Sequence, residues 1–207
     1  DHEKLFSGEI KDLPFSPPRL WRINPNIYEL PKHRIPKHHW EQLQRVRQPF
    51  APDKRPGIND YAADLLADSA TLETLIRNAR TIVEHQLSND VAEALRAVLE
   101  SGKPGTKQID AAVQHQFKML ILRPPTAAEL VRYRTYMLRT IAEAKSVREG
   151  MAVCLKAIAL IPEAIYRMAL GLGPEDQDGR RRLSKNELAF AISFALTDDP
   201  PDAAMRE

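Results

Sequence analysis

A single cysteine, Cys154, stands in 207 residues. It has no partner in the chain for a disulfide, and a zinc site built on paired cysteines is excluded. An excess of one charge is missing too. The 30 Lys and Arg residues face 28 Asp and Glu, a formal charge of +2, too small for nucleic acid to be the main partner. The longest apolar run, around Met151–Ile161, is broken by Lys156 and falls short of the ~20 residues that span a bilayer. The opening, Asp1-His-Glu-Lys4, is not that of a secretory leader. Gly-rich phosphate loops, nucleophile elbows and His-Glu-x-x-His zinc motifs are absent. So are an internal repeat of fixed length and any period-two alternation long enough to predict a sheet.

What is present divides the chain into two textures. Residues 1–57 hold nine of its 16 prolines, a density that forbids long helices and central strands. The same segment carries Phe15, Trp21, Tyr28, Trp40 and Phe50, which favour burial. We therefore expect an irregular arm with short helical turns, laid over other elements and contributing few backbone ladders. One turn is expected from Ser16-Pro-Pro-Arg-Leu-Trp-Arg22 and another from Pro25-Asn-Ile-Tyr-Glu29, each with proline at a first helical position.

From residue 58 to 207 the pattern is helical. Three Ser/Thr-x-x-Glu sequences, Thr126–Glu129, Ser146–Glu149 and Ser184–Glu187, are capping boxes. In each, the hydroxyl accepts from the N3 amide and the glutamate reaches back to the N-cap amide. The spacing predicts helices over Asn59–Leu66 and Ser69–Leu87, the latter with Leu72, Leu75, Ile76, Ala79 and Val83 in step. A helix capped by Asn89 and ending at Ser101-Gly102 comes next. One from Thr106 follows, with Ile109, Val113, Phe117 and Leu120 on one face, and ends at Pro124-Pro125. Thr126–Lys145 is expected to be helical. Val147–Ile161, apolar nearly all round, is expected to be the central helix with Met151, Leu155 and Ile158 inside. Ile165–Leu170 reads as a continuation, Gly171–Arg182 as a polar, flexible loop, and Leu188–Leu196 as a short apolar helix. The fold class is all-α: an irregular multi-helix domain with a Pro-rich N-terminal arm. The end, Ala203-Ala-Met-Arg-Glu207, reads as a helix cut short, and we expect the chain to be a piece of something larger.

Chemistry-bearing residues are sparse. His33, His38 and His39 lie close together, and imidazoles suit zinc, copper or haem iron. Lys32, Arg34 and Lys37 surround them and oppose a cation, so the competing reading is a solvated basic segment. His85 and His115 read as structural, Asp198-Asp199 as a turn or cap, and Cys154 as a small buried hydrophobe. Arg180-Arg-Arg182 could grip a phosphate, against a solvated loop. Arg123, Tyr166 and Arg167 flank predicted helix ends, where arginine satisfies orphan carbonyls and tyrosine buries its ring. No catalytic residues are assigned, and no cofactor is identified.

The runs Leu122-Arg-Pro-Pro-Thr-Ala-Ala-Glu-Leu-Val-Arg-Tyr133, Ser146-Val-Arg-Glu-Gly-Met151, Ile161-Pro-Glu-Ala-Ile-Tyr-Arg-Met-Ala-Leu-Gly171 and Arg182-Leu-Ser-Lys-Asn-Glu-Leu-Ala-Phe-Ala-Ile-Ser-Phe-Ala-Leu-Thr-Asp-Asp-Pro-Pro-Asp202, in that order, resemble the tandem domains of unknown function of large planctomycete-type extracytoplasmic proteins. Those proteins often carry a c-type cytochrome domain. The resemblance covers about Phe117–Asp202, with a weaker match around Arg19–Tyr28. The chain departs from it where the family's Ser-Pro-x-Phe-Leu-Tyr-Arg reads Ile161-Pro-Glu-Ala-Ile-Tyr-Arg167 here. A Cys-x-x-Cys-His sequence is absent, so this segment binds no c-type haem covalently. The resemblance implies an extracytoplasmic location and a non-catalytic structural and interaction module, with other domains or subunits of one assembly as partners. The alternatives are part of an enzyme completed by regions outside this segment, and a haem-contacting electron-transfer segment.

Overall fold

The computed structural model describes residue 7 and residues 19–22, 69–88, 91–177, 179–197, 201–202 and 205. The expected Asn59–Leu66 helix, the turn at Pro25, the Asn89 cap, His33, His38, His39 and Asp198-Asp199 lie outside these residues, as do Tyr28 and Trp40. Among the described residues the protein is all-α, with seven helices and one two-stranded sheet. The chain falls into two units, Arg22–Tyr166 and a second made of Asp1–Trp21 with Arg167–Glu207.

The larger unit begins with α1, Ser69–Gln86. Its inward side starts later than the spacing predicts. Leu72 and Ile76 are exposed, and burial begins at Ala79 and runs through Ile82, Val83 and Leu87. Helix α2, Glu93–Leu99, starts at Ala92, whose carbonyl accepts from the amides of Leu95 and Arg96 at 2.9 Å each. No side chain caps it, and Glu93 in its first turn favours the helix dipole.

Helix α3, Thr106–Leu120, has Gly105 at its N-cap, and the Gln108 carboxamide oxygen accepts from the Gly105 amide at 2.8 Å. Its predicted face is buried at Ile109, Val113 and Phe117, while Leu120 is half-buried. Helix α4, Ala127–Ala144, opens on the complete Thr126–Glu129 capping box and closes on Lys145, which takes a left-handed φ of 53°. Helix α5, Val147–Ala159, has only half its box. Ser146 Oγ accepts from the Glu149 amide at 3.3 Å, and the glutamate makes no return bond. Ser146 sits at φ −146° where Thr126 sits at −66°, and rotation about that bond turns the N-cap N–H away from the carboxylate.

Helix α5 is the centre, as its all-round apolar character predicts. Met151, Cys154, Leu155 and Ile158 are fully buried. It packs against α1, α2, α3 and α4, most extensively α4. Pro162 starts a new short helix, α6, Pro162–Ile165, with proline in its first turn.

Two expectations about backbone are overturned near the bounds of the two units. Beyond Ile165 the chain does not continue as helix to Leu170. Tyr166 turns extended (φ −123°, ψ 139°) and Tyr166–Ala169 forms strand β2. The Arg19–Arg22 stretch is not a helical turn but strand β1, paired with β2. Four extended residues on each side bond to each other, and such short pieces carry too few side chains to announce a period. The Gly171–Arg182 loop is laced rather than free. Gly173 donates to Arg182 O (2.9 Å), Arg182 to Pro174 O (3.1 Å) and Asp176 to Arg180 O (2.8 Å), around an antiparallel bridge from Glu175 to Arg181. Helix α7, Lys185–Thr197, follows, opened by the complete Ser184–Glu187 box.

At Gly150 the α4 and α5 backbones touch. A Cβ there would lie 2.3 Å from both Ile141 Cα and Ile141 N, and 2.6 Å from Thr140 C. In an unobstructed helix, glycine to alanine stabilises by roughly 0.5–1 kcal/mol. Here Gly150→Ala is expected to destabilise by roughly 1–3 kcal/mol or more, because backbone must move. Urea denaturation reads the sign directly, and a stabilised variant would contradict this packing.

Candidate functional site

Charged and polar side chains drawn into the larger unit converge around Arg123. The chain reaches it through a sharp reversal. Both the Ile121 and Leu122 amides bond to Phe117 O (2.8 and 3.0 Å), and Leu122 adopts φ 61°, a left-handed conformation that costs a β-carbon residue about 1–3 kcal/mol. The reversal carries the Arg123 guanidinium back over the Phe117 ring, 5.5 Å from its centroid. The Phe117 ring meets Tyr133 edge-on at 5.5 Å.

Arg123 grips Glu129 with two parallel bonds of 2.8 Å, and its other edge meets the Glu163 carboxylate on α6 through Nε (3.3 Å) and Nη2. Glu129 closes the α4 capping box with the same carboxylate, accepting from the Thr126 amide at 2.7 Å. One arginine thus fastens the α3–α4 turn to the start of α4 and to α6. The Arg123 guanidinium holds the Glu129 carboxyl at about 2, with burial opposing and Thr126 assisting. Hydrogen bonding to Glu129 keeps Arg123 itself firmly protonated. Arginine was expected at a helix end, satisfying carbonyls. It does bond to Pro124 O at 3.1 Å, but its main partners are carboxylates, one of them 40 residues away in sequence.

Two further polar groups serve packing. Gln116, fully buried, exchanges amide bonds with Gln86 (3.0 and 3.1 Å) and donates to Leu155 O at 3.4 Å, joining α1, α3 and α5. Asp110 and Arg134 form a two-pronged pair at 2.6 Å for each prong, between α3 and α4.

In the smaller unit Glu187 is buried, and its carboxylate accepts four backbone amides: Leu170 (2.7 Å), Gly171 (3.1 Å), Leu172 (2.9 Å) and Ser184 (2.8 Å). Three successive amides make an anion-holding concavity, and the chain's own carboxylate fills it. Burial alone would raise the Glu187 carboxyl, but the amides of Ser184, Leu172 and Leu170 outweigh it and hold it below its ordinary value. The capping role of Glu187 is legible in the sequence. Its hold on Leu170–Leu172 is not, because no local spacing encodes it.

The remaining candidates separate. Cys154 is buried beneath Tyr133 O, 3.6 Å away, and burial pushes its thiol up to about 12, as expected of a small hydrophobe. His85 is buried in the last turn of α1, and His115 is half-buried on α3, where burial and then Lys118 lower its pKa. Arg181 and Arg182 are exposed, with Arg181 3.7 Å from Glu175, while Arg180 is half-buried. Tyr166 is half-buried on β2. Among the described residues no group of three or more His, Cys, Asp or Glu is placed to hold a metal ion, and no helix is long and apolar enough to cross a membrane. The chain matches no family model, no curated protein and no solved structure.

The Arg123 cluster makes a pH prediction. The folded pKa of Glu129, about 2, lies below its ordinary 4.5. Its stabilisation is therefore full above about pH 4.5 and is lost as pH falls toward 2. Glu129→Gln is expected to cost roughly 1–3 kcal/mol at pH 7. The gap to the wild type should narrow steadily below pH 4.5. Urea midpoints taken from pH 7 to pH 3 check this, and a gap independent of pH would contradict the ionic role.

Proposed function

We propose that the chain is a non-catalytic structural and interaction module of a larger extracytoplasmic assembly, one associated with c-type cytochromes. The observation that carries the interaction part is the open side of α7. That helix is apolar nearly all round, a character normal for helices covered on every side. One side holds Glu187, Ala189, Phe190 and Ser193 inside. The other leaves Leu188 at 48%, Ile192 at 43% and Leu196 at 75% exposure. These three recur every fourth residue and form a continuous stripe, the kind of apolar surface that marks a docking site. The half-buried and buried polar groups favour the same reading, since Arg123, Glu129, Gln116 and Glu187 are each engaged in holding turns and helices together. The extracytoplasmic and cytochrome parts rest on the resemblance of Phe117–Asp202 alone.

The test uses native material and a variant. Ile192→Asp is expected to release the chain from its assembly in analytical ultracentrifugation while leaving its melting temperature within a few degrees of wild type, because the position is already half in water. An unchanged assembly would contradict the docking role of α7. A Soret absorption band in the native assembly is expected from the cytochrome association, and its absence would remove that part of the reading.

A further inference from the structure

Helix α4 has a second face that its place in the fold does not explain. Its inner side is set by Met137 and Thr140, both buried. The side directly opposite should carry charge. Instead it presents Ala128, Val131, Thr135, Leu138 and Ala142, all exposed, with Val131 at 54% and Leu138 at 41%. These positions alternate steps of three and four over the length of the helix. That is the seam of a helix that packs lengthwise against another helix. Along one flank of the seam stand Arg132 and Arg139, both exposed. Arg139 lies over the Tyr136 ring, 5.2 Å from its centroid, and only loosely near Glu143 at 3.8 Å. Arg134, on the other flank, is held by Asp110.

We infer that the outer face of α4 docks an amphipathic helix of a partner protein whose apolar seam is flanked by acidic residues. The inference rests on the interaction-module reading and names a partner chemistry for a surface distinct from α7. Charge selects the occupant. In an antiparallel pair of two copies, the flank with Arg132 and Arg139 meets the same flank of the other copy. In a parallel pair it meets the flank with Arg134, whose charge Asp110 already balances. Two copies thus set like charges together when antiparallel and gain no opposite charge when parallel. Glutamate or aspartate at the same positions of a partner meets both arginines while the seam is closed by apolar side chains.

The experiment titrates the full chain with two synthetic helical peptides of about 21 residues, three heptads. Both carry leucine along the seam. One has glutamate on the flanks and the other has lysine. Like charge on the flanks keeps each peptide from pairing with itself. The glutamate peptide is expected to bind at least about tenfold more tightly than the lysine peptide, with the difference shrinking as salt rises. Arg132→Glu with Arg139→Glu should reverse the preference, and Leu138→Asp should weaken binding of either peptide by about tenfold or more. Equal binding of the two peptides, no binding, or a preference untouched by these substitutions would overturn the inference. So would a dimer of the chain that Leu138→Asp dissolves, since the occupant would then be a second copy. Release of the assembly by Ile192→Asp with no acidic-peptide binding at α4 would remove this inference alone.

Discussion

The backbone of Thr140 and Ile141 lies against Gly150 with no space for a β-carbon between them. The rest of the larger unit depends on that approach. Thr140 completes it, its hydroxyl 2.8 Å from Gly150 O and 3.0 Å from Met137 O, so one proton is shared between the carbonyls of two helices. With α4 and α5 this close at the start of α5, the following turns of α5 enter the space enclosed by α1, α2, α3 and α4. Met151, Cys154, Leu155 and Ile158 then lose all solvent exposure. Burial of that many apolar side chains is the main favourable term available to a helical unit of this size. A side chain at position 150 would separate the helices and reopen the same surface to water.

Polar groups fasten the places where the chain changes direction. Leu122 takes a conformation that is unfavourable for leucine, and the Arg123 pairs with Glu129 and Glu163 hold the turn it creates. Glu187 does the same for Leu170–Leu172, where Gly171 at φ 75° has Arg181 O 3.1 Å from the position its Cβ would take. In both cases a carboxylate that caps a helix also collects donors from outside that helix. Capping thus fixes the helix start and the preceding turn together. Exposed apolar side chains stand on the outer sides of α4 and α7, and at Leu72 and Ile76 on α1.

Among the described residues α1–α5 and α7 were legible in the sequence to within a few residues. Thr126 and Ser184 each sit three residues before their glutamates, and both boxes form in full. The burial of α5 follows from its apolar run, in which Lys156 is the single charge between Gly150 and Ile161. What could not be read depended on distance along the chain. Glu163 is 40 residues from Arg123, Gln116 is 30 from Gln86, and Leu170 is 17 from Glu187. β2 exists because β1 pairs with it, and neither strand is long enough to show alternation. Leu72 and Ile76 kept the helical period and still face water, since periodicity marks a face without stating how far the covering elements extend. The outer seam of α4 was open to inspection in the sequence but hidden by the inner face, which has the same period.

Native-state hydrogen exchange tests the account at its centre. If the close seat at Gly150 organises the larger unit, the amides of Met151–Ile158 on α5 should be its most protected, opening only when the whole unit unfolds, with an opening free energy equal to that of global denaturation. The short helices α2 and α6 should exchange through smaller, local openings. Amides of Met151–Ile158 that exchange as fast as those of α2 would contradict the account, because α5 would then be a peripheral helix and the unit would be held together elsewhere.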